Sequence, residues 1–392
     1  MPRPIPERTS WIGPEPQTVA GLRRGARMSG KHVHRDPAWE RTAIGLLRED
    51  AASAHPTPLI EVPVPAPGIS FYLKDESALP TGSLKHRLAH ALFLHAICNG
   101  WIRRGTHVVE ASSGSTAVSA AYFARTLGLP FTAVVPESTS PAKIALVEEH
   151  GGRVERIPAG ASLVAHAMRL GRQPGCHHLD QFANGERAID WRSPGTIAGE
   201  LVAQVRATGH LSPTWVVTGA GTGTTATTLG RHIRLHGLPT RLCVVDPARG
   251  SVYRRAWQAG DRSLVCHDPA PLVEGIGRPL VASSFELSVV DDMLSVEDAA
   301  AVAAARWVER TIGISVGAST GAAVWGALDR VARMRRVGIR GAVVAILADR
   351  GERYADTIHD DAWLARRGVV LDRWTAVLER FERDGVWPCP RA

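Results

Sequence analysis

The stretch Thr106–Gly128, "THVVEASSGSTAVSAAYFARTLG", changes period halfway along. Its first six residues carry β-branched side chains and end on a small residue, the pattern of a buried strand. From Thr116 the apolar residues recur at helical spacing and stop at Gly128. Between the two lies a turn of hydroxyls, Ser112, Ser113, Ser115 and Thr116, around Gly114. A strand feeding a helix through a polar turn is the unit of a parallel sheet flanked by helices. In that architecture ligands sit beyond the carboxyl ends of strands. One serine suffices to cap a helix, so four hydroxyls at a helix N-terminus point instead to a cradle for a carboxylate or phosphate.

The same alternation runs outward in both directions. "FYLKDE", "FTAVVPE", "RVERIPA", "TWVVTGAG", "TRLCVVDP" and "GAVVAILAD" read as further strands. "LKHRLAHALFLHAICNGWI", "SPAKIALVEEHG", "TTATTLGRHIRLHG" and "SVEDAAAVAAARWVERTIG" read as helices, so the fold class is α/β. The 392 residues are enough for two to three domains. No run approaches the ~20 apolar residues of a membrane helix, and "MPRPIPERTSWIGPEPQ" lacks the apolar core of a secretory signal. Five scattered cysteines without a CxxC pair point to a reducing cytoplasm and to neither zinc nor disulfides. Of the net charge of +8, residues 1–35 carry +5, from seven basic groups against Glu7 and Glu15. A basic Pro- and Gly-rich segment of this kind reads as a flexible leader, with Met28 an alternative start. Without interleaved aromatics it does not indicate nucleic-acid binding.

Three turns besides Ser112–Thr116 look chemical. "PTGSLKHR" places Lys85 at a helix start, and only four lysines stand against 42 arginines in this chain. A surface lysine is the ordinary reading there. A lysine kept in such a background, however, offers an amine that can lose its proton, which arginine does not. "VVTGAGTGTTATTLG" is rich in glycines and threonines, Gly221, Thr222, Gly223, Thr224 and Thr225 among them, and leads into a helix whose positive end favours an anion. No GK[ST] follows, which excludes a P-loop. With Asp246 ending the next strand, the loop reads equally as a phosphate cradle or as a dinucleotide site. "VGASTGAAVWGAL" sets Ser319 and Thr320 at a helix start, where a neutral hydroxyl can hydrogen-bond a heterocyclic nitrogen.

Taken in order, lysine turn, serine-rich turn, glycine-rich loop and late serine resemble the cysteine synthase and cystathionine β-synthase group of pyridoxal-phosphate enzymes, fold type II. The resemblance runs from about residue 50 to 357, "PTPLI" through "LADRGERY". "EASSGSTAVS", "EGIGRP" and "ERAIDW" are most similar to the bacterial L-cysteine desulfhydrase branch. It implies a tryptophan-synthase-β-like fold of two domains, each with a mostly parallel sheet flanked by helices, and an active site in the cleft between them. The implied large domain is 36–75 with 182–356, the small mobile domain 76–181, and the C-terminal helical extension 357–392. A homodimer is also implied.

Residue by residue, the resemblance makes Lys85 the Schiff-base lysine and general base, Gly221 to Thr225 the cofactor's phosphate cradle, and Ser319 the partner of the pyridine nitrogen. Ser115 would meet the cofactor's ring oxygen. Ser112, Ser113, Gly114, Thr116 and Gln181 would hold the substrate carboxylate, with Gly275 and Ile276 lining the site. A dinucleotide explains neither Lys85 nor Ser319, so pyridoxal 5'-phosphate is the cofactor expected. Two positions depart from the family pattern. Ser115 stands where Asn is usual, and Thr224 replaces a glycine, a strained choice if positive φ is needed there.

A neutral serine partner leaves the ring a weaker sink for carbanion charge, which favours expelling a group from Cβ. The expected reaction is therefore β-elimination on L-cysteine through an aminoacrylate, giving hydrogen sulfide, pyruvate and ammonia. Alternatives are β-replacement from an activated serine and a catalytically silent scaffold. Cys176, His177, His178 and Asp180 suggest a metal site only superficially, because adjacent strand residues face opposite ways, and a strand edge or loop is expected. Glu274 either orients the substrate amine or ends a strand, and Trp191 is expected to pack.

Overall fold

The computed structural model describes residues 35–54 and 56–387. All but the last residue of the basic segment read over 1–35 lie outside them. Ten strands are present among the described residues: β1 (Leu59–Val62), β2 (Ile69–Asp75), β3 (His107–Ala111), β4 (Phe131–Pro136), β5 (Arg153–Ile157), β6 (Cys176–His178), β7 (Pro213–Gly219), β8 (Arg241–Pro247), β9 (Asp292–Val296) and β10 (Gly341–Leu347). The helices of the first half are α1 (Pro37–Ala54), α2 (Lys85–Cys98), α3 (Ser115–Thr126), α4 (Pro141–Glu149), α5 (Leu163–Gly171) and α6 (Gln181–Ala188). Those of the second half are α7 (Ile197–Ala207), α8 (Thr224–Leu235), α9 (Tyr253–Ala259), α10 (Asp298–Ile312), α11 (Ala318–Arg336), α12 (Asp361–Arg366) and α13 (Asp372–Asp384). All seven expected strands form. Strands β1, β6 and β9 are additions to that set, too short or too polar for their periodicity to stand out.

Two sheets result. One has the order β1-β2-β10-β7-β8-β9, parallel except for the antiparallel edge pair β1–β2. The other, order β5-β4-β3-β6, is wholly parallel and comes from one continuous stretch of chain between β2 and β7. Strand β10 is central and buried along almost its whole length, which is why "GAVVAIL" shows no alternation. Apolar side chains of α10, α11 and α13 fill one face of the larger sheet, and those of α7, α8 and α9 fill the other. Helices α10 and α11 approach so closely that a Cβ on Gly321 would lie 2.0 Å from the Ala301 carbonyl oxygen. The C-terminal helix α13 docks on this layer through Phe381 and through Trp374, whose ring packs edge-on to Trp325.

Not every scarce lysine is chemical. Lys74 of β2 is fully buried, and its Nζ donates to the Thr57 carbonyl (2.7 Å), Glu200 (3.0 Å) and Gln204 (2.8 Å). Arg87 of α2 joins the same cluster by donating to Glu76 and Glu200. Burial costs such charges their hydration, and the multiple ion pairs and hydrogen bonds offset it. The cluster ties α2, which begins at Lys85, to β2 and α7.

Candidate active site

Lys85 begins α2, and the turn before it is fixed by the chain beyond β10. The Leu84 N–H donates to the Ala348 carbonyl (2.9 Å), and Ser83 bridges Asp349. The late serine turn meets the same two residues. The Ala348 N–H donates to Thr320 Oγ1 (3.0 Å) and the Gly317 N–H to the Asp349 carbonyl (3.3 Å). Ser319, the second residue of α11, is 8% exposed. Two turns more than 230 residues apart in sequence are thereby held on one strand end.

Asp349, which the sequence reading passed over, is the hub of this region. Its Oδ2 accepts from the Tyr354 hydroxyl (2.8 Å) and from Ser115 Oγ (3.4 Å), while Arg353 donates to Ser115 Oγ (2.8 Å). Its Oδ1 is buried without a protein partner. Burial raises the Asp349 pKa, against the opposing pull of Tyr354, Arg353, Lys85 and Ser115. Burial likewise lowers the Lys85 pKa, Asp349 opposes this, and Arg278 adds to the lowering. An amine so placed gives up its proton more readily than a surface lysine. The available signal for Asp349 was an acid directly beyond the most apolar strand, in "LADRGERY".

The glycine loop follows β7 and is clasped by the "EGIGRP" segment. A Cβ on Gly221 would lie 2.2 Å from the Gly275 carbonyl oxygen, and one on Gly219 would lie 2.4 Å from Ile276. The Gly277 N–H donates to the Ala220 carbonyl (2.8 Å), and the Tyr253 hydroxyl to that of Gly221 (2.6 Å). Positive φ is needed at Gly223 (79°), where a Cβ would also lie 2.1 Å from Phe285. Thr224 is instead the first residue of α8 and free of that strain, since the positive-φ position lies one residue earlier. Thr222 Oγ1 donates to Thr224 Oγ1 (3.0 Å) and accepts the Thr224 N–H (3.3 Å), so Thr224's polar groups serve the loop itself. Thr225 stands beside them in the first turn of α8, whose N–H groups and helix dipole suit a phosphate.

On the other sheet, Thr116 and Gln181 meet directly. Thr116 Oγ1 donates to Gln181 Oε1 (2.8 Å), and Gln181 Nε2 donates to Glu110 Oε1 (3.0 Å). Ser112, Ser113, Gly114 and Ser115 lie partly exposed just before, with the Gly114 N–H bound to Ser112 Oγ (3.2 Å). Asp180 enters α6 at φ 51°, the one non-glycine residue with positive φ among those described. Buried Glu110 has its pKa pushed up to about 8, first by desolvation and then by Asp180. His177 and His178 lie on β6, an edge strand, where His177 packs against Trp101 and His178 Nε2 lies 3.8 Å from Glu110. No cluster among the described residues could hold a metal ion. Glu274 ends no strand, and its carboxylate accepts from Lys143 Nζ at 2.6 and 2.7 Å.

The family model "Pyridoxal-phosphate dependent enzyme" matches residues 52–349. The chain is 48% identical over 355 residues to the L-cysteine desulfhydrase of Mycobacterium tuberculosis, covering 89% of this chain and 96% of that one. It is 33% identical over 304 residues to N-(2-amino-2-carboxyethyl)-L-glutamate synthase of Ralstonia nicotianae, covering 75% and 84%. The crystal structure of O-ureido-L-serine synthase superposes with a TM-score of 0.68 at 27% identity, covering 81% of this chain and 98% of that one.

Pyridoxal phosphate requires an amine of lowered pKa, a glycine-lined anion cradle and a polar partner for its ring, and Lys85, the Gly221–Thr225 loop and Ser319 provide groups of these kinds. With the family model covering most of its length and a homologue matched almost end to end, the chain belongs to the pyridoxal-phosphate dependent enzymes.

Proposed function

We propose that the protein converts L-cysteine and water to hydrogen sulfide, pyruvate and ammonia by β-elimination. The observation that carries this is the 48% identity with an L-cysteine desulfhydrase along 89% of the chain. It is supported by the lowered pKa of Lys85, as an amine that attaches an aldehyde and then moves a proton must spend part of its time unprotonated. When bound, pyridoxal phosphate supplies the sink for charge at the substrate's Cα.

In this reading Lys85 would hold the cofactor through its amine and would take the proton from the substrate's Cα. The loop Gly221, Thr222, Gly223, Thr224 and Thr225 would hold the phosphate, through its backbone N–H groups and its threonine hydroxyls. Ser319 would partner the ring nitrogen as a neutral group. Ser112, Ser113, Gly114, Thr116 and Gln181 orient the α-carboxylate, and Gly275 closes the wall beside it. Ser115, tied to Arg353, brings a shorter side chain to the ring oxygen than the family's usual Asn.

The two-domain division at 36–75 with 182–356 and at 76–181 belongs to the same proposal, supported by the separate sheet that β3–β6 form. So does a cytoplasmic homodimer. The described cysteines are all unpaired, and no described helix is long and apolar enough to cross a membrane.

The test is pyruvate formed from L-cysteine by the cofactor-loaded protein without a second nucleophile. Pyruvate and sulfide released in equal amounts, and abolished in Lys85→Ala, are expected. A spectral change on adding cysteine without pyruvate would refute elimination in favour of β-replacement, the chemistry that the names of the synthase relatives suggest.

A further inference from the structure

The segment "ERAIDWRSPG" over 186–195 has no part in the chemistry above, and it lines a separate concavity of about 670 Å³. Glu186 and Arg187 come from the end of α6, Trp191 and Arg192 from the turn after it, and Arg231 and Arg234 from the last turns of α8. The Arg192 guanidinium lies 4.0 Å above the Trp191 ring and that of Arg231 5.7 Å from it. His232 Nδ1, 3.1 Å from the Trp191 carbonyl, anchors the turn to α8.

Four arginines thus line one hollow with a single lining carboxylate. Glu186 is taken up by Arg231. Arg234 donates to the carbonyls of Val289 (2.8 Å) and Ser288 (3.2 Å) and stands 3.7 Å from Asp291. Neither Arg187 nor Arg192 has a carboxylate within ion-pair distance among the described residues. Asp190 binds the Arg192 backbone N–H (2.8 Å) and attracts its side chain only at longer range. Cations at helix C-termini complement the helix dipole, which accounts for Arg187 and Arg234. It does not account for Arg192, which lies outside any helix, or for the two guanidiniums, of Arg192 and Arg231, beside the one Trp191 ring.

We propose that this concavity binds a small multivalent oxyanion, a phosphorylated or polycarboxylate metabolite. Guanidinium forks pair with phosphate and carboxylate oxygens through two parallel hydrogen bonds, and an anion there relieves the mutual repulsion of the arginines. The volume suits a ligand of metabolite size.

Calorimetric titration of the holoenzyme with pyrophosphate and, separately, with citrate tests this and tells the two sources apart. A filled cofactor site keeps pyrophosphate out of the Gly221–Thr225 loop. Saturable binding of either anion, one per chain, is expected, weakening as sodium chloride is raised. In Arg187→Gln/Arg192→Gln it should weaken about tenfold or more, with pyruvate formation in the absence of the anion unchanged. No saturable heat from either anion, or equal affinity in the double variant, would overturn the proposal.

Discussion

Replacing Glu110 with glutamine should make the folded protein less sensitive to alkaline pH. Glu110 is fully buried at the end of β3 and accepts one hydrogen bond from Gln181, while its Oε2 and the facing His178 Nε2 both lack partners. Asp180 and His178 are the titratable groups that face it. With its pKa at about 8, the folded chain keeps a proton that the unfolded chain has already released. The contribution of Glu110 to stability therefore falls as pH rises from the ordinary carboxylate range through 8.

Below about pH 6.5 a second effect intrudes, since burial holds both His178 and His177 below the usual histidine value, the latter at about 4. Between pH 6.5 and 8, at ~1.4 kcal/mol per pH unit, the contribution of Glu110 changes by about 2 kcal/mol, and the difference between wild type and variant removes the contributions of the other titrating groups. The amide introduced by Glu110→Gln would keep the acceptor for Gln181 and could donate to His178, so no new unpaired group is created. Denaturant unfolding of both holoenzymes at pH 6.5 and 8 gives the answer. The variant should gain on wild type by about 2 kcal/mol across the window. A difference that does not change with pH would refute the assignment of Glu110 as a protonated acid.

Gly223→Ala should weaken retention of pyridoxal phosphate and lower the thermal midpoint. The positive φ alone costs about 1–2 kcal/mol, and its Cβ would collide with Phe285; unchanged cofactor affinity, measured by dialysis and absorbance, would show that the loop does not hold the phosphate. Lys74→Ala should cost about 3–5 kcal/mol in denaturant unfolding, because Glu200 and the Thr57 carbonyl lose their buried cation. A loss below about 1 kcal/mol would mean that Arg87 alone can neutralise the cluster.

Local pattern determined much of this protein. A central strand such as "GAVVAIL" is buried on both faces and so carries its strand identity in one unbroken apolar run. The chemical turns were legible for a related reason: glycines and hydroxyls at a strand-to-helix junction expose backbone N–H groups whatever the rest of the fold does. Of the four edge strands only β5 was legible; β1, β6 and β9 escaped notice because they are short and partly exposed, as in β6, which is only three residues long. What tertiary structure alone decided was partnership. Asp349 became a hub only because β10 delivers it to the turns of Lys85 and Ser319, and Glu110 became a buried acid only because α6 brings Gln181 and Asp180 across β3. A side chain's charge state depends on the groups packed around it, and those groups come from segments that local sequence does not connect.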